Sequence, residues 1–333
     1  MPPLIEQPNA ATDIRDAFFN EVYQLAQADR RVMVLTDDQG AFALDRIRAE
    51  LPSQYINVGI AEQNLINVAA GLAIGGMKPF ACGISNFMSL RCCEQISVNL
   101  CAMNLPVTIV ASGGGLTYAS DGPTHHSIQD TAVMRTMPNL KIFNPADATS
   151  TAACARLCHQ SDGPSYVRIE KGLLHGLYAP DHNFSPGLSQ LREGADALII
   201  STGYLTQTAV KVSAELQAQG VDCGVLDLYR IKPLNTGALL TQLRKAKRII
   251  IMEEQTPIGG IGSLVCELLG EHGLAVPVRR YHLPDAPCYR YGSREWLHQE
   301  FGLDVTTVAR EAADWLREKN GVSPQLETAL TGI

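Results

Sequence analysis

The sequence predicts an α/β fold of two domains, each built on a parallel or mostly parallel sheet. Short apolar runs that suit buried strands alternate with longer segments of helical periodicity. Residues 172–194 are rich in Gly and Pro and indicate an interdomain linker. A length of 333 residues suits two domains. We therefore predict one domain over residues 1–180 and a second over residues 190–333.

The predicted elements follow one another in regular order along both halves. In the first half, strands are expected near 32–35, 55–58, 79–84, 106–111, 140–143 and 165–169, and helices near 12–28, 41–50, 62–73, 87–103, 127–136 and 147–160. In the second half, strands are expected near 196–201, 221–226, 248–252 and 276–280, with helices between and after them. This alternation predicts sheets with helices on both faces.

The composition argues against several classes of protein. Hydrophobic residues make up 46% and charged residues 18%, as in a globular protein with a large core. A net charge of −7 without any Lys/Arg run gives no basic patch for nucleic acid. No apolar stretch approaches the roughly 18 residues that span a bilayer. Because the first residues lack a basic segment followed by an apolar run, we expect a cytoplasmic protein.

The cysteines are interpreted as buried, reduced thiols. The nine cysteines include no Cys-x-x-Cys pair and lie mostly among apolar residues. Cys154 and Cys158 share a helix face beside His159, but two thiols without a second cluster make a poor zinc site. We therefore assign no metal to this chain.

Glu62 is the most informative candidate site residue. It follows a strand-like run, residues 55–58, and opens a small, apolar helix that we expect to be buried. In a parallel sheet this junction lies at the carboxyl edge, where ligand crevices form. A carboxylate there is either a partner of the helix dipole or a group kept for chemistry.

More polar groups follow later strands. Phe87 comes after the strand near 79–84, and the glycine triplet 113–115 comes after the strand near 106–111. Such a triplet can cradle a phosphate through its N–H groups, although no lysine follows it. Asp121 to His126 form the next polar run, and Arg168 lies on the strand near 165–169.

These motifs resemble the pyrimidine-binding half of the transketolase and deoxyxylulose-phosphate synthase family of thiamine diphosphate enzymes. The resemblance covers nearly the whole chain, and its later part is similar to the family's C-terminal domain. The segments that carry it are residues 59–63 (Gly-Ile-Ala-Glu-Gln), 86–87 (Asn-Phe), 121–125 (Asp-Gly-Pro-Thr-His), 144–147 (Asn-Pro-Ala-Asp), 162–165 (Asp-Gly-Pro-Ser) and 253–263.

The resemblance implies a divided enzyme. Full-length members begin with a diphosphate-binding domain, whose Gly-Asp-Gly segment and a following asparagine bind Mg²⁺. No Gly-Asp-Gly occurs in this sequence. We therefore expect the C-terminal subunit of a split transketolase, with thiamine diphosphate shared between subunits. The Mg²⁺ ligands would lie on an N-terminal partner subunit in an α₂β₂ assembly.

The resemblance also assigns roles to site residues. Glu62 would hydrogen-bond the aminopyrimidine and favour its imino tautomer, Phe87 would stack on the ring, and Ile60 would contribute to the cofactor site. An apolar site raises a carboxyl pKa, which permits proton sharing, whereas a helix amino end opposes that rise. The alternative for Phe87 is a plain core aromatic.

Asp121 and His125 would contact the substrate's hydroxyls and carbonyl, and His125 would move protons during carbon–carbon cleavage. His126 is interpreted as structural, because adjacent histidines rarely converge on one ion. Arg168 would grip a phosphate or another anion; its alternative is a strand-end salt bridge.

Two departures from the family pattern concern the substrate. Typical transketolases have a histidine where this chain has Gly113. They also have a phosphate-contacting serine in the early loop, and Phe42 is the residue of this chain nearest to that position. Both changes remove polar contacts. We therefore expect ketol transfer on a modified sugar, a non-phosphorylated sugar or a smaller substrate.

Three other functions are considered. A two-oxoacid dehydrogenase beta subunit has similar length and domain order, but it carries Gly-His-Gly and His-Ser segments instead of the 121–125 run. A non-catalytic partner subunit would not need Glu62, Asp121 and His125. An NADP-dependent oxidoreductase would use the glycines at 259–262 and Arg279 and Arg280, but the spacing is not Gly-x-Gly-x-x-Gly. Those glycines would otherwise form a helix-start turn at a domain interface.

Overall fold

The structure, a computed structural model, describes residues 12–318 and has the predicted α/β architecture. The helices are α1 (Ile14–Ala28), α2 (Phe42–Glu50), α3 (Glu62–Ile74), α4 (Cys93–Gln95), α5 (Asp130–Arg135), α6 (Ala148–His159), α7 (Tyr204–Ala218), α8 (Thr236–Leu243), α9 (Ile261–Glu271), α10 (Arg294–Glu300) and α11 (Val305–Arg317). The strands are β1 (Thr12–Asp13), β2 (Val32–Thr36), β3 (Tyr55–Asn57), β4 (Lys78–Ile84), β5 (Thr108–Ser112), β6 (Lys141–Phe143), β7 (Ser165–Ile169), β8 (Leu173–Leu174), β9 (Ser189–Arg192), β10 (Ala197–Ser201), β11 (Cys223–Asp227), β12 (Arg230–Lys232), β13 (Ile249–Met252) and β14 (Val278–Tyr281).

Two sheets organise the chain. The seven-stranded sheet has the order β12-β6-β7-β5-β4-β2-β3, and only β12 runs antiparallel to its neighbour. The five-stranded sheet has the order β14-β13-β10-β11-β9, and only β9 is antiparallel. Because β2, β3 and β4 are parallel neighbours, the residues that follow them meet at one edge of the first sheet.

One buried apolar cluster runs through both sheets. It includes Leu65 of α3 and Ile109 of the first sheet, and Ile200 and Ile251 of the second sheet. The two halves of the chain therefore bury apolar surface against each other, which fixes the loops between the sheets.

The predicted strands are all present, with ends within two residues of the prediction. The predicted linker, residues 172–194, contains two short strands, β8 and β9, that were not predicted. The strand β12 was also missed, and it lies in the second half of the chain but pairs with β6 of the first sheet. It follows β11 with no helix between them, so the alternation of strands and helices in the sequence does not mark it as a separate strand.

The predicted helices 12–28 and 127–136 begin two and three residues later than predicted, and larger differences occur in two other places. Residues 87–103 form two π-helical segments, Phe87–Arg91 and Ile96–Ala102, on either side of α4. The helix α3 was expected to be buried, but one of its faces is open to solvent. The exposed residues on that face are Gln63, Asn67, Gly71 and Ile74.

The nine cysteines are free, and most of them are buried, as predicted. Cys266 is exposed and Cys93 is partly exposed. Burial raises the pKa of the Cys92 and Cys158 thiols to about 12, which makes them poor nucleophiles. Within residues 12–318, no helix has the length and apolar character needed to cross a membrane.

Asp227, at the end of β11, gives a prediction about stability and pH. Its buried carboxyl accepts hydrogen bonds from Tyr178 (2.6 Å) and Thr206 (3.0 Å), and burial raises its pKa to about 7. A carboxyl group has a pKa of about 3.9 in an unfolded chain. Between those values the unfolded chain loses its proton first, so Asp227 destabilises the fold increasingly as pH rises from about 4 to 7.

We therefore expect Asp227→Asn, which mimics the protonated acid, to raise the melting temperature over wild type by more at pH 8 than at pH 5. Thermal unfolding at both pH values measures this difference. Asp45→Asn, at an exposed carboxylate on α2, is the matched control and should show no such pH dependence. An equal effect of Asp227→Asn at both pH values would contradict the assignment.

Candidate functional site

Glu62 opens α3 directly after β3, as predicted. Gly59 lies between the two elements with a φ of 75°, and its N–H donates to Oδ1 of Asn57 at 2.9 Å. The left-handed conformation at Gly59 lets the chain turn sharply into the helix. The side chain of Glu62 is only 3% exposed, at the amino end of α3, where the helix dipole favours a carboxylate.

Arg91 provides the counter-charge of Glu62. Its Nη1 donates to Oε2 of Glu62 at 2.6 Å, while 45% of the arginine side chain remains exposed. The same guanidinium lies 4.4 Å from the ring centroid of Phe87. Sequence reasoning missed Arg91, because nothing in the sequence indicates that a residue 29 positions away meets Glu62.

Asp37 is a second buried acid at this edge, immediately after β2. Its side chain is 7% exposed, and burial together with the negative charge of Glu62 raises the pKa of Asp37 to about 6. A Cβ at Gly83 would lie 2.4 Å from Oδ2 of Asp37, so the glycine makes room for the carboxyl. The available signal was its position: Asp37 follows a buried strand that neighbours both β3 and β4.

Phe87 and His125 lie together. Their ring centroids are 5.0 Å apart in an edge-to-face arrangement, and the ring centroid of Tyr118 lies 6.0 Å from that of His125. The side chain of Asn86 donates to the carbonyl of Thr124 at 2.7 Å, which ties the two segments. The Thr124 hydroxyl engages Nδ1 of His125 at 2.9 Å, so Nε2 is the nitrogen available to a ligand.

Asp121 and His126 sit in the same loop with different surroundings. Asp121 is exposed, and its N–H donates to the carbonyl of Tyr118 at 3.0 Å. Gly122 has a φ of 79° and lies against the ring of Tyr291, where a Cβ would come within 2.6 Å. His126 is buried, and burial lowers its pKa.

Tyr118 fills the space beside Gly113, the position of one departure from the family pattern. A Cβ at Gly113 would lie 2.1 Å from Cε2 of the tyrosine ring. Lys171 places its Nζ 5.6 Å from the centroid of the same ring. The polar contact that a histidine would make at position 113 is therefore replaced by an aromatic wall beside His125.

Arg168 is not directed toward the open edge. It is 3% exposed, its Nε donates to Asp130 at 3.0 Å, and its Nη1 lies 3.5 Å from Glu170. The guanidinium also donates to the carbonyl of Ser127. These are the contacts of the structural alternative, a strand-end salt bridge, and the geometry gives no support to an anion contact by Arg168.

The glycine triplet does not form a phosphate cradle. The N–H groups of Gly113 and Gly114 donate to the carbonyl of Ile169, and that of Gly115 donates to Ser127. A Cβ at Gly114 would lie 2.7 Å from Cζ of Arg168. The glycines instead allow the loop to pack closely on buried charged side chains.

The glycines at 259–262 are a helix start at the contact between the two halves. Arg135 of the first half donates to the carbonyl of Gly259 at 2.6 Å. Glu253 caps α9 by accepting from the N–H groups of Ile261 (2.7 Å) and Gly262 (2.9 Å). Arg279 and Arg280, the residues of the oxidoreductase alternative, pair with Glu311 (3.1 Å) and Glu253 (3.6 Å).

A cavity of about 360 Å³ lies elsewhere, at the junction of the two halves. Lys171, Tyr204 and Arg294 help to line it, and the lining includes none of Ile60, Glu62, Phe87, Asp121, His125 and Arg168. Within residues 12–318, no three or more His, Cys, Asp and Glu side chains are grouped so that they could hold a metal ion.

The structure thus brings Glu62, Phe87 and His125 together around one open edge and directs Arg168 elsewhere. Ile60 lies at the rim, with 80% of its surface exposed. A buried carboxylate beside an aromatic face suits a planar nitrogen heterocycle, because the acid can hydrogen-bond its edge while the ring stacks. The residues present therefore fit the aminopyrimidine half of thiamine diphosphate.

Comparisons with known proteins agree with this geometry. Residues 10–176 match the family description "Transketolase, pyrimidine binding domain", and residues 188–308 match "Transketolase, C-terminal domain". A solved structure described as a split gene transketolase, inactive beta4 tetramer, has a TM-score of 0.83 and 31% identity, and the likeness covers 92% of this chain and 99% of that one.

Two curated relatives are similar in length as well as sequence. The 6-deoxy-6-sulfo-D-fructose transketolase subunit SqwH of Clostridium sp. (strain MSTE9) is 33% identical over 92% of this chain and 95% of that protein. One of the subunits of apulose-4-phosphate transketolase from Phocaeicola vulgatus is 34% identical over 91% of this chain and 97% of that protein. This chain belongs to the transketolase family and corresponds to its pyrimidine-binding and C-terminal domains.

Proposed function

We propose that this chain is the C-terminal subunit of a split, thiamine diphosphate-dependent transketolase that transfers a two-carbon ketol unit between sugar-like substrates. The observation that carries the proposal is the buried carboxylate of Glu62 beside the ring of Phe87 at an open sheet edge. The similarity in length to subunits of divided transketolases supports the assignment over the dehydrogenase and oxidoreductase alternatives.

The roles at the cofactor side follow from the chemistry of the residues. When bound, thiamine diphosphate supplies the carbanion and electron sink of ketol transfer. Glu62 holds a proton shared with the pyrimidine edge, Phe87 offers a stacking face, and Ile60 covers the rim. Asp37 adds a second buried acid, whose pKa of about 6 leaves it largely neutral below that pH and limits its repulsion of Glu62.

The substrate side is assigned to the 121–125 loop. His125 presents Nε2, which can exchange a proton with a substrate hydroxyl, and exposed Asp121 can accept a hydrogen bond from a substrate hydroxyl. The ring of Tyr118 fills the space beside Gly113, so this side of the site lacks the polar contact that a histidine would make. That supports a substrate other than an ordinary sugar phosphate. An anion contact by Arg168 is not included, because that guanidinium is engaged by Asp130.

We propose that a partner subunit supplies the diphosphate site and the Mg²⁺ ligands, in an α₂β₂ assembly in the cytoplasm. The exposed face of α3 and of the segment 87–103, both of which begin near the site, supports such a contact, because exposed apolar patches mark interfaces. A hydrogen bond of 2.8 Å between Asn99 and Asn67 joins two of its elements. Its apolar members are Ile60, Ile74, Val98 and Met103, which are 52–80% exposed.

The first test concerns Glu62. In the complex with the partner subunit, Glu62→Gln should lower the rate of ketol transfer by about 100-fold or more, because the amide keeps the shape but cannot share the acid proton. Steady-state kinetics measures the rate with an aldose acceptor and the ketose donor that the wild-type complex turns over, chosen from a set of phosphorylated, modified and non-phosphorylated ketoses. Glu50→Gln, which removes a carboxylate far from the site, is the control. A near wild-type rate for Glu62→Gln would refute the proposed role.

The second test concerns His125. We expect His125→Gln to lower kcat/KM by about 100-fold, because the proton carrier is lost while the polar shape remains. His272→Asn, at an exposed histidine that ends α9, is the control and should leave the kinetics unchanged. Equal kinetics for His125→Gln and wild type would remove His125 from the mechanism.

The third test concerns the division of the site. Calorimetry of this chain alone with thiamine diphosphate and Mg²⁺ should give no measurable binding, because only the pyrimidine side of the pocket is present. The same titration should give binding once a partner chain that carries the Gly-Asp-Gly segment is added. Tight binding by the isolated chain would contradict the shared site.

A further inference from the structure

Arg91 engages two groups at once. It ends the π-helical segment Phe87–Arg91, and the carbonyl of Arg91 accepts a hydrogen bond from Gln63 of α3 at 3.3 Å. From this backbone position the guanidinium reaches both Glu62 (2.6 Å from Nη1 to Oε2) and the face of Phe87 (4.4 Å from Cζ to the ring centroid). The face that it covers is therefore the one next to the Glu62 carboxylate.

These two groups are the pair that the proposed function assigns to the aminopyrimidine ring. A guanidinium is planar, carries N–H donors along its edge and stacks on aromatic rings. It therefore offers Glu62 and Phe87 the same kind of edge and face as a nitrogen heterocycle. Two planar groups cannot stack on one face of Phe87 and also hydrogen-bond one carboxylate oxygen at the same time.

We propose that Arg91 is an internal stand-in for the cofactor ring, which occupies Glu62 and Phe87 in the cofactor-free subunit and is displaced when thiamine diphosphate binds. This inference rests on the proposed function. Arg91 stabilises the cofactor-free site, because a carboxylate that is 3% exposed is costly without a counter-charge. Since 45% of the arginine side chain already faces solvent, its charged end can swing outward without opening the core.

The stand-in has a measurable consequence. If the arginine must leave before the ring can dock, the apparent Kd equals the intrinsic Kd divided by the fraction of sites from which the arginine is absent. Loss of the arginine should then tighten cofactor binding. A residue that merely holds Glu62 in place has the opposite signature, since its loss would disorder the carboxylate and weaken binding.

The experiment is a calorimetric titration of thiamine diphosphate, with Mg²⁺ present, into the complex of this chain with its partner subunit. Arg91→Gln removes the charge and should lower Kd about five- to tenfold. Arg91→Lys keeps the charge but loses the planar face, so its Kd should lie between those of wild type and Arg91→Gln.

The chain offers a matched control in Arg46. This arginine also covers an aromatic ring, Tyr23 at 3.9 Å, and pairs with a carboxylate, Glu50 at 3.1 Å, but it lies on α2 outside the site. Arg46→Gln should leave the Kd at its wild-type value. A shift equal to that of Arg91→Gln would mean that the effect is not local, and it would overturn the proposal.

Two further outcomes would overturn the proposal. An unchanged or larger Kd for Arg91→Gln would make Arg91 a positioning residue for Glu62. A wild-type Kd in Arg91→Lys beside a larger Kd in Arg91→Gln would be the clearest sign of that role. If the wild-type complex fails to bind thiamine diphosphate, the proposed function itself fails. The wild-type titration thus separates the two failures, because it tests cofactor binding before any substitution is compared.

Discussion

A buried network of charges joins the two sheets, and the position of the site loop depends on it. Glu254 accepts from Arg294, His298 and the N–H of Leu116, and Arg294 also pairs with Glu170 at 2.9 Å. Although burial opposes ionisation, the positive charge of Arg294 and the hydrogen bonds from Arg294 and His298 hold the pKa of Glu254 well below its usual range. Such a network stabilises only when every charge is partnered, so it specifies one arrangement of the two halves.

The network reaches the site through backbone contacts. Arg168 donates to the carbonyl of Ser127, and Ser127 pairs with Gly115 across the loop between them. Both ends of the segment that carries Asp121 and His125 are therefore held by groups buried between the sheets. A rigid scaffold beneath an exposed loop is the usual way in which side chains are positioned for chemistry.

The site itself holds two acidic side chains, and one arginine contacts one of them. Glu62 and Asp37 lie close enough for the negative charge of Glu62 to raise the pKa of Asp37, and Arg91 is the cation that contacts Glu62. Paired acids with one exposed counter-charge form a polarised edge, which suits a ligand that brings its own hydrogen-bond donors. Ile60 is exposed at the same edge and Ile74 at the far end of α3, and these apolar residues suit this face of the molecule to a partner surface.

The sequence by itself determined the two α/β units, the strands that were predicted and found, and the place of Glu62 at a strand-to-helix junction. These features follow from hydrophobic period, apolar runs and turn residues, which are local properties of the chain. The tertiary structure alone decided that β12 joins the first sheet, that Arg168 faces Asp130, and that Arg91 and Asp37 meet Glu62. Those outcomes depend on the burial of charges between segments far apart in the chain, and such burial leaves no periodic signal in the residues themselves.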